Sequence, residues 1–180
     1  MVQTLGEGQR QALLQLARAA VARAIGMPST LAAPPAIAMR AGAFVSLHLG
    51  HDLRGCIGYL DADSPLVDVV ERCAASAAVS DPRFPSLGAA EWPGVTIEIS
   101  VLGPLELVAQ INEIEIGRHG LVAALGVHRG LLLPQVAVEW NWTAGEFIEH
   151  TCRKAGLPGD AWRQGATLHK FEADVFSEKT

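Results

Sequence analysis

The tightest constraint on this chain is a pair of runs, residues 43–49 and 53–58, separated by Gly50, His51 and Asp52. Two β-like runs joined by a short Gly/Asp loop predict a hairpin. Folded symmetrically about His51, the hairpin sets Leu49 against Leu53, His48 against Arg54 and Ser46 against Cys56. Side chains alternate faces along a strand. Val45, Leu47, Leu49, Leu53 and Ile57 then form one apolar face, and Ser46, His48, Arg54 and Cys56 form the other. Stability alone gives a face no reason to carry a thiol, a guanidinium and an imidazole together, so this face is the first candidate site.

The rest of the chain supplies elements around that hairpin. Thr4 to Glu7 has the form of a capping box, and the Leu/Ala stripe through Leu13, Leu16, Ala17 and Ala20 predicts a helix from about Glu7 to Ile25, stopped by Gly26 and Pro28. Ser64-Pro65 predicts an N-cap and first helical position, followed by a stripe of Leu66, Val69, Val70, Cys73 and Ala77. The prolines of residues 80–85 predict a rigid turn with Asp81 and Arg83 on its surface. Residues 95–102 alternate Val95, Ile97, Ile99 and Val101 against Thr96, Glu98 and Ser100, the pattern of a half-buried antiparallel strand. Strands are expected at 119–125 and 131–133, the second ending or lying at an edge because Pro134 cannot donate to a ladder. Thr143 to Glu146 is a second capping box, opening a helix to about Ala155 that Gly156 stops. A last strand, 168–176, should turn Phe171, Ala173 and Val175 inward.

At 180 residues the chain suffices for one core or for two small subdomains sharing one. Hydrophobic residues make up 49% of it, which excludes a disordered chain. A net charge of −5 without any Lys/Arg run argues against nucleic-acid binding. No apolar run approaches a membrane span, and residues 1–10 lack the features of an export signal, so the expected compartment is the cytoplasm. The three cysteines, Cys56, Cys73 and Cys152, include no C-x-x-C pair and read as free thiols.

The chemistry converges on Cys56. Arg54, two residues away on the expected shared face, would favour the thiolate, which is the nucleophile. Gly55 and Gly58 permit close backbone approach. A nucleophilic cysteine needs a base or an orienting group, for which His48, His119 and Glu98 are candidates; Glu98 has the competing role of an ion pair with Arg54. Arg83 and Gln135 join the two glycines as candidates for lining a substrate site. A metal held by His48, His51 and Cys56 is disfavoured because His51 sits at the loop tip. Neither a P-loop nor a dinucleotide fingerprint is present, and no cofactor is expected.

The motif Leu53-Arg54-Gly55-Cys56-Ile57-Gly58 resembles the signature of the AMMECR family. So do the blocks at residues 81–85, 97–102, 119–121, 130–136 and 152–157, in the family's order, so the resemblance covers most of the chain. It implies an α+β fold, a single domain over residues 1–180 with two subdomains around a largely antiparallel sheet flanked by helices. It implies an active site at the motif without naming a reaction. Bacterial members belong to the AmmeMemoRadiSam system, which implies two partners, a Memo-like protein and a radical SAM protein. Two functions from different classes follow. One is an enzyme with Cys56 as nucleophile or redox thiol and Arg54 as anion binder. The other is a non-catalytic adaptor for those partners.

Overall fold

A computed structural model describes residues 4–30 and 33–179. The elements in chain order are α1 (Glu7–Ala24), β1 (Ala43–Leu49), β2 (Asp52–Tyr59), α2 (Leu66–Val79), β3 (Val95–Leu102), β4 (Glu106–Leu107), β5 (His119–Leu125), β6 (His128–Leu132), α3 (Pro134–Glu139), α4 (Ala144–Lys154) and β7 (Thr167–Ser177), with three short 3-10 turns. The fold is α+β, and the pairings described below are antiparallel. Among the described residues no helix is long and apolar enough to cross a membrane. The chain divides into two compact units, one of residues 3–102 and 174–180, the other mainly of residues 103–173.

In the first unit β1 is the middle strand, paired with β2 on one side and β3 on the other. Val45, Leu47, Ile97 and Ile99 are fully buried on one face of this sheet. Both helices cover that face: α2 packs on β1 and β2, α1 on β3, and the helices on each other. Leu13, Leu16, Ala17 and Val21 of α1 and Leu66, Val69, Val70 and Cys73 of α2 complete the core, as the helical stripes predicted. The alternation of β3 is likewise as expected.

Three local expectations are corrected. The cap of α1 is Gly6, not Thr4, and Gln9 Oε1 accepts the Gly6 N–H at 3.0 Å; Leu5 is buried, with its N–H directed to Asp174 at 3.4 Å. The N-cap before α2 is Pro65, one residue later than predicted. The hairpin is also tighter than a loop centred on His51. Leu49 pairs with Asp52 across a two-residue turn, with Gly50 at φ 61°. That is where a tight hairpin turn needs a residue tolerating positive φ.

The tighter turn leaves β2 one residue too long for its partner. His48 pairs with Leu53 and Leu47 with Gly55, so Arg54 is the extra residue of a β-bulge. Below the bulge the register returns to the expected one, with Ser46 opposite Cys56 and Val45 opposite Ile57. Leu53, assigned to the core by the symmetric loop, is instead exposed beside His48.

The second unit has β5 paired with β6 and β7, and β4 paired with β7. α4 packs on β5 and β6, and α3 on β5. Its core holds Leu121, Ala123, Phe147, Ile148, Cys152 and Leu168. Thr143 caps α4 through a capping box with Glu146, as predicted. Residues 134–139 form a helix that was not expected; Pro134 occupies its first turn, where a missing N–H costs nothing.

The strand β7 departs from simple alternation. Phe171 is buried, but Val175 is exposed, while Phe176 packs on the first unit's core and Asp174 bonds Arg10 at 2.8 Å. The strand passes from one unit to the other between Ala173 and Asp174, and the inward face changes there because a different core has to be filled.

The two faces of β3 give a stability prediction. Ile97→Ala removes a fully buried side chain and should destabilise by roughly 2–5 kcal/mol. Thr96, on the half-buried opposite face, should tolerate Ala within about 0.5 kcal/mol. Urea melts of both variants measure the contrast; equal losses would mean that both faces are packed as core.

Candidate functional site

The face of the first unit's sheet turned away from the two helices carries a row of polar residues. Cys56 of β2, Ser46 of β1 and Glu98 of β3 lie opposite one another across three strands. Ser46 Oγ donates to Cys56 Sγ at 3.2 Å. One step along the face, His48 lies between Leu53 and Thr96, and its Nε2 is buried without a hydrogen-bond partner among the described residues. On the other side of the row, Phe44 opposes Gly58. A Cβ on Gly58 would overlap the Phe44 ring, so the glycine gives the ring its resting place beside the thiol.

The Cys56 backbone is a point of attachment for the turn after α2. Its backbone N–H donates to Asp81 Oδ2 at 2.9 Å, and its carbonyl accepts from Arg83 Nη2 at 3.4 Å. Among the described residues β2 has a sheet partner only on its β1 side, so these side chains satisfy the open edge at this peptide. Asp81 and Arg83 are also joined to each other at 3.0 and 2.8 Å, and the Arg83 N–H donates to Asp81 Oδ1 at 3.0 Å. The Asp81 side chain is only 2% exposed, whereas that of Arg83 is 51% exposed. The surface position expected for Asp81 is therefore wrong, and that for Arg83 right. Burying a carboxylate requires such a set of donors.

Arg54 faces a different neighbourhood. Its Nε and Nη2 donate to the two carboxylate oxygens of Glu91 at 2.9 and 3.1 Å, and Nη1 donates to the Pro85 carbonyl at 3.0 Å. Its side chain is 12% exposed. The bulge re-aims this residue, as bulges do, and its fork is filled by the protein itself. The guanidinium that influences the thiol is that of Arg83. Gly55, on the core face, sits where a Cβ would overlap the Ala77 carbonyl of α2, so it serves close strand–helix packing.

Burial is the largest influence on the Cys56 thiol and raises its pKa. The Ser46 hydroxyl and then Arg83 lower it, and Asp81 and Glu98 raise it; the net direction is upward. Cys73 and Cys152 are fully buried; burial pushes Cys73 up to about 11 and Cys152 upward. The Arg83 guanidinium foremost, with the N–H groups of Cys56 and Arg83, holds the Asp81 carboxyl well below the usual carboxylate range.

His119 and Gln135 belong to the second unit, at the start of β5 and in the first turn of α3. His119 is buried, with Nδ1 accepting the Glu115 N–H at 2.9 Å. The sequence reading missed Asp81 and Glu91 as organising residues. Asp81 had a usable signal, its position two residues before Arg83 around Pro82; Glu91 had none. Among the described residues no cluster of His, Cys, Asp or Glu has the arrangement of a metal site.

The Asp81 geometry yields a pH prediction. Asp81→Ala should cost roughly 1–3 kcal/mol at neutral pH by leaving the Cys56 N–H unpaired. A carboxyl with a lowered folded-state pKa stabilises fully above its unfolded value, about 4, and loses that contribution as pH falls through the depressed value. The gap between wild type and Asp81→Ala in urea melts should stay level from neutral pH to about pH 5 and narrow below about pH 4. A gap unchanged into strong acid would assign the loss to packing.

Relatives share this arrangement's scaffold. A family model described as AMMECR1 matches residues 14–176. A protein of Methanococcoides burtonii is 47% identical over 142 residues, covering 76% of this chain and 71% of its own. One of Methanocaldococcus jannaschii is 44% identical over 146 residues, covering 76% and 73%. The crystal structure of an uncharacterised protein of Pyrococcus horikoshii matches with a TM-score of 0.85 at 37% identity, covering 93% of this chain and 90% of that one. With a family model matching residues 14–176, relatives at 47% and 44% identity and the fold in common, the chain belongs to the AMMECR1 family.

Proposed function

We propose that this protein is a thiol-dependent enzyme acting on a small electrophilic substrate at Cys56. The observation that carries the reading is the surrounding of that sulfur: partly buried, held by a serine hydroxyl, with the Glu98 carboxylate of β3 in the same cross-strand row beyond β1 and a half-exposed guanidinium on the adjoining turn. Two ordinary core cysteines in the same chain show the contrast. In this reading Cys56 rests as a thiol, because burial opposes its ionisation. Substrate arrival triggers proton loss to Glu98 while the Ser46 hydroxyl stabilises the developing thiolate. Sγ bonds to an electrophilic carbon, and the electron pair displaced from that carbon collects on the substrate oxygen, where Arg83 supplies the countercharge. Arg83 thus takes the anion-facing role first assigned to Arg54, which holds the hairpin to Glu91.

A second reading has its own support. Arg54, Asp81 and Glu91 are all spent on immobilising the motif, which is what a docking scaffold for a Memo-like and a radical SAM protein would require. Metabolite profiles separate the two. A strain lacking the protein is complemented with wild type, Cys56→Ser or Arg83→Met. The enzyme reading expects Cys56→Ser to leave the profile of the deletion strain unchanged; full restoration by Cys56→Ser would replace it with the scaffold.

Thiol labelling tests the chemistry directly. Limiting iodoacetamide on the native protein should modify Cys56 first, since Cys73 and Cys152 are fully buried. The Cys56 rate should keep rising above the pH of about 8.5 at which a free cysteine is half ionised, because its pKa is raised. Arg83→Met removes a charge favouring the thiolate and should slow labelling severalfold at a fixed neutral pH, on the order of one pKa unit's effect at most. Labelling of Cys73 or Cys152 ahead of Cys56 would sink the nucleophile.

A further inference from the structure

The second unit contains a cavity of about 270 Å³ for which the thiol chemistry has no use. Adjacent strands build it. Glu106 of β4 lies opposite Lys170 of β7, and Glu172, two residues along β7 and so on the same face, lies opposite His119 of β5. The turn before β5 closes the space. The His119 N–H donates to the Glu115 carbonyl at 3.0 Å, and Arg118 joins the Glu115 and Glu172 carboxylates.

His119 is 6% exposed, yet it lines this cavity. Its Nδ1 accepts the Glu115 N–H, so the proton of the neutral ring sits on Nε2. Burial foremost, with Lys170 next, lowers its pKa, which keeps the ring neutral. The imidazole therefore offers the cavity an N–H donor without a charge. Lys170 donates to the Glu113 carbonyl at 3.2 Å and brings a second donor. Across the strand pair from Lys170, Glu106 is exposed and, among the described residues, enters no ion pair. The lining carboxylates, Glu106, Glu115 and Glu172, outnumber the lining cations, Arg118 and Lys170. The cavity thus combines N–H donors with surplus negative charge.

We propose that this cavity binds a small molecule carrying an ammonium group beside an oxygen acceptor, the chemistry shared by amino acids and amino alcohols. The ammonium meets Glu106, and the oxygen accepts from His119 Nε2 and Lys170. The volume is below the roughly 300–1,000 Å³ of pockets for drug-sized ligands, so the occupant is small.

The test uses the full chain labelled with ¹³C at histidine Cε1, with the His119 resonance identified by its loss in His119→Gln. Glycine, ethanolamine, methylammonium and acetate are titrated at matched concentrations. A saturable shift with glycine or ethanolamine, absent with the two half-ligands, is the expected result, and which of the two acts tells an amino acid from an amino alcohol. Glu106→Gln, at an exposed position compatible with folding, should weaken the effect about tenfold through loss of a charge-assisted contact. No shift with glycine or ethanolamine, an equal shift with methylammonium or acetate alone, or unchanged binding in Glu106→Gln would each overturn the proposal.

Discussion

The extra residue in β2 governs the rest of the first unit. A two-residue turn at Gly50 and His51 would, by itself, slip the register by one and invert the faces below it. The bulge at Arg54 absorbs that residue. Gly55 can then point at α2 and let the helix approach, and Cys56 stays opposite Ser46. Arg54, freed from the ladder, reaches Glu91 and the Pro85 carbonyl. Leu53-Arg54-Gly55-Cys56 is thus a geometric device before it is a chemical one: a bulge residue with a long anchored side chain, a glycine for close packing, and a thiol delivered to the face away from the helices.

The clamp on Cys56 has an electrostatic consequence. Asp81 is needed to satisfy the Cys56 N–H at the sheet edge, yet its negative charge disfavours a thiolate a few atoms away. Arg83 resolves part of this conflict, because it neutralises Asp81 and also acts on the sulfur. Burial then decides the balance in favour of the thiol. A cysteine activated only by a nearby arginine would be reactive at rest; this one has proton acceptors nearby and a raised pKa. On the enzyme reading proposed above, deprotonation accompanies substrate binding rather than preceding it.

Much of this was legible in the sequence, because it depended on local periodicity. The stripes of α1 and α2, the capping box of α4, the alternation of β3 and the pairing of Ser46 with Cys56 follow from spacing alone. What was missed depended on partners far along the chain. The turn length could not be read because three residues with Gly and Asp fit more than one hairpin loop, and only the bulge tells them apart. Arg54 was placed beside the thiol because period two is assumed to run unbroken, and a single bulge defeats that assumption. Asp81 looked like a surface turn residue, since nothing local announces that a strand edge needs an acceptor there. The helix at residues 134–139 is short, and its Leu-rich approach reads as strand.

The two units repeat one packing solution with different chemistry on it. In the first, Gly58 receives the Phe44 ring from the neighbouring strand; in the second, Gly120 receives that of Phe171. A ring laid on a glycine covers the cross-strand gap that a missing side chain would leave. The residues beside each pair are thereby fixed on a flat, well-packed surface: Cys56 precedes Gly58 by two, and His119 directly precedes Gly120. In the first unit alternation sets Cys56 on the same face as the ring contact, so the aromatic edge borders the thiol. In the second it sets His119 on the face opposite Gly120, so Phe171 supports the strand from behind while the imidazole joins Lys170 and Glu172. One residue of offset from the glycine therefore decides whether the polar group sits beside its aromatic support or across the sheet from it. That offset separates an apolar-bordered thiol from a mostly polar, mixed-charge cavity.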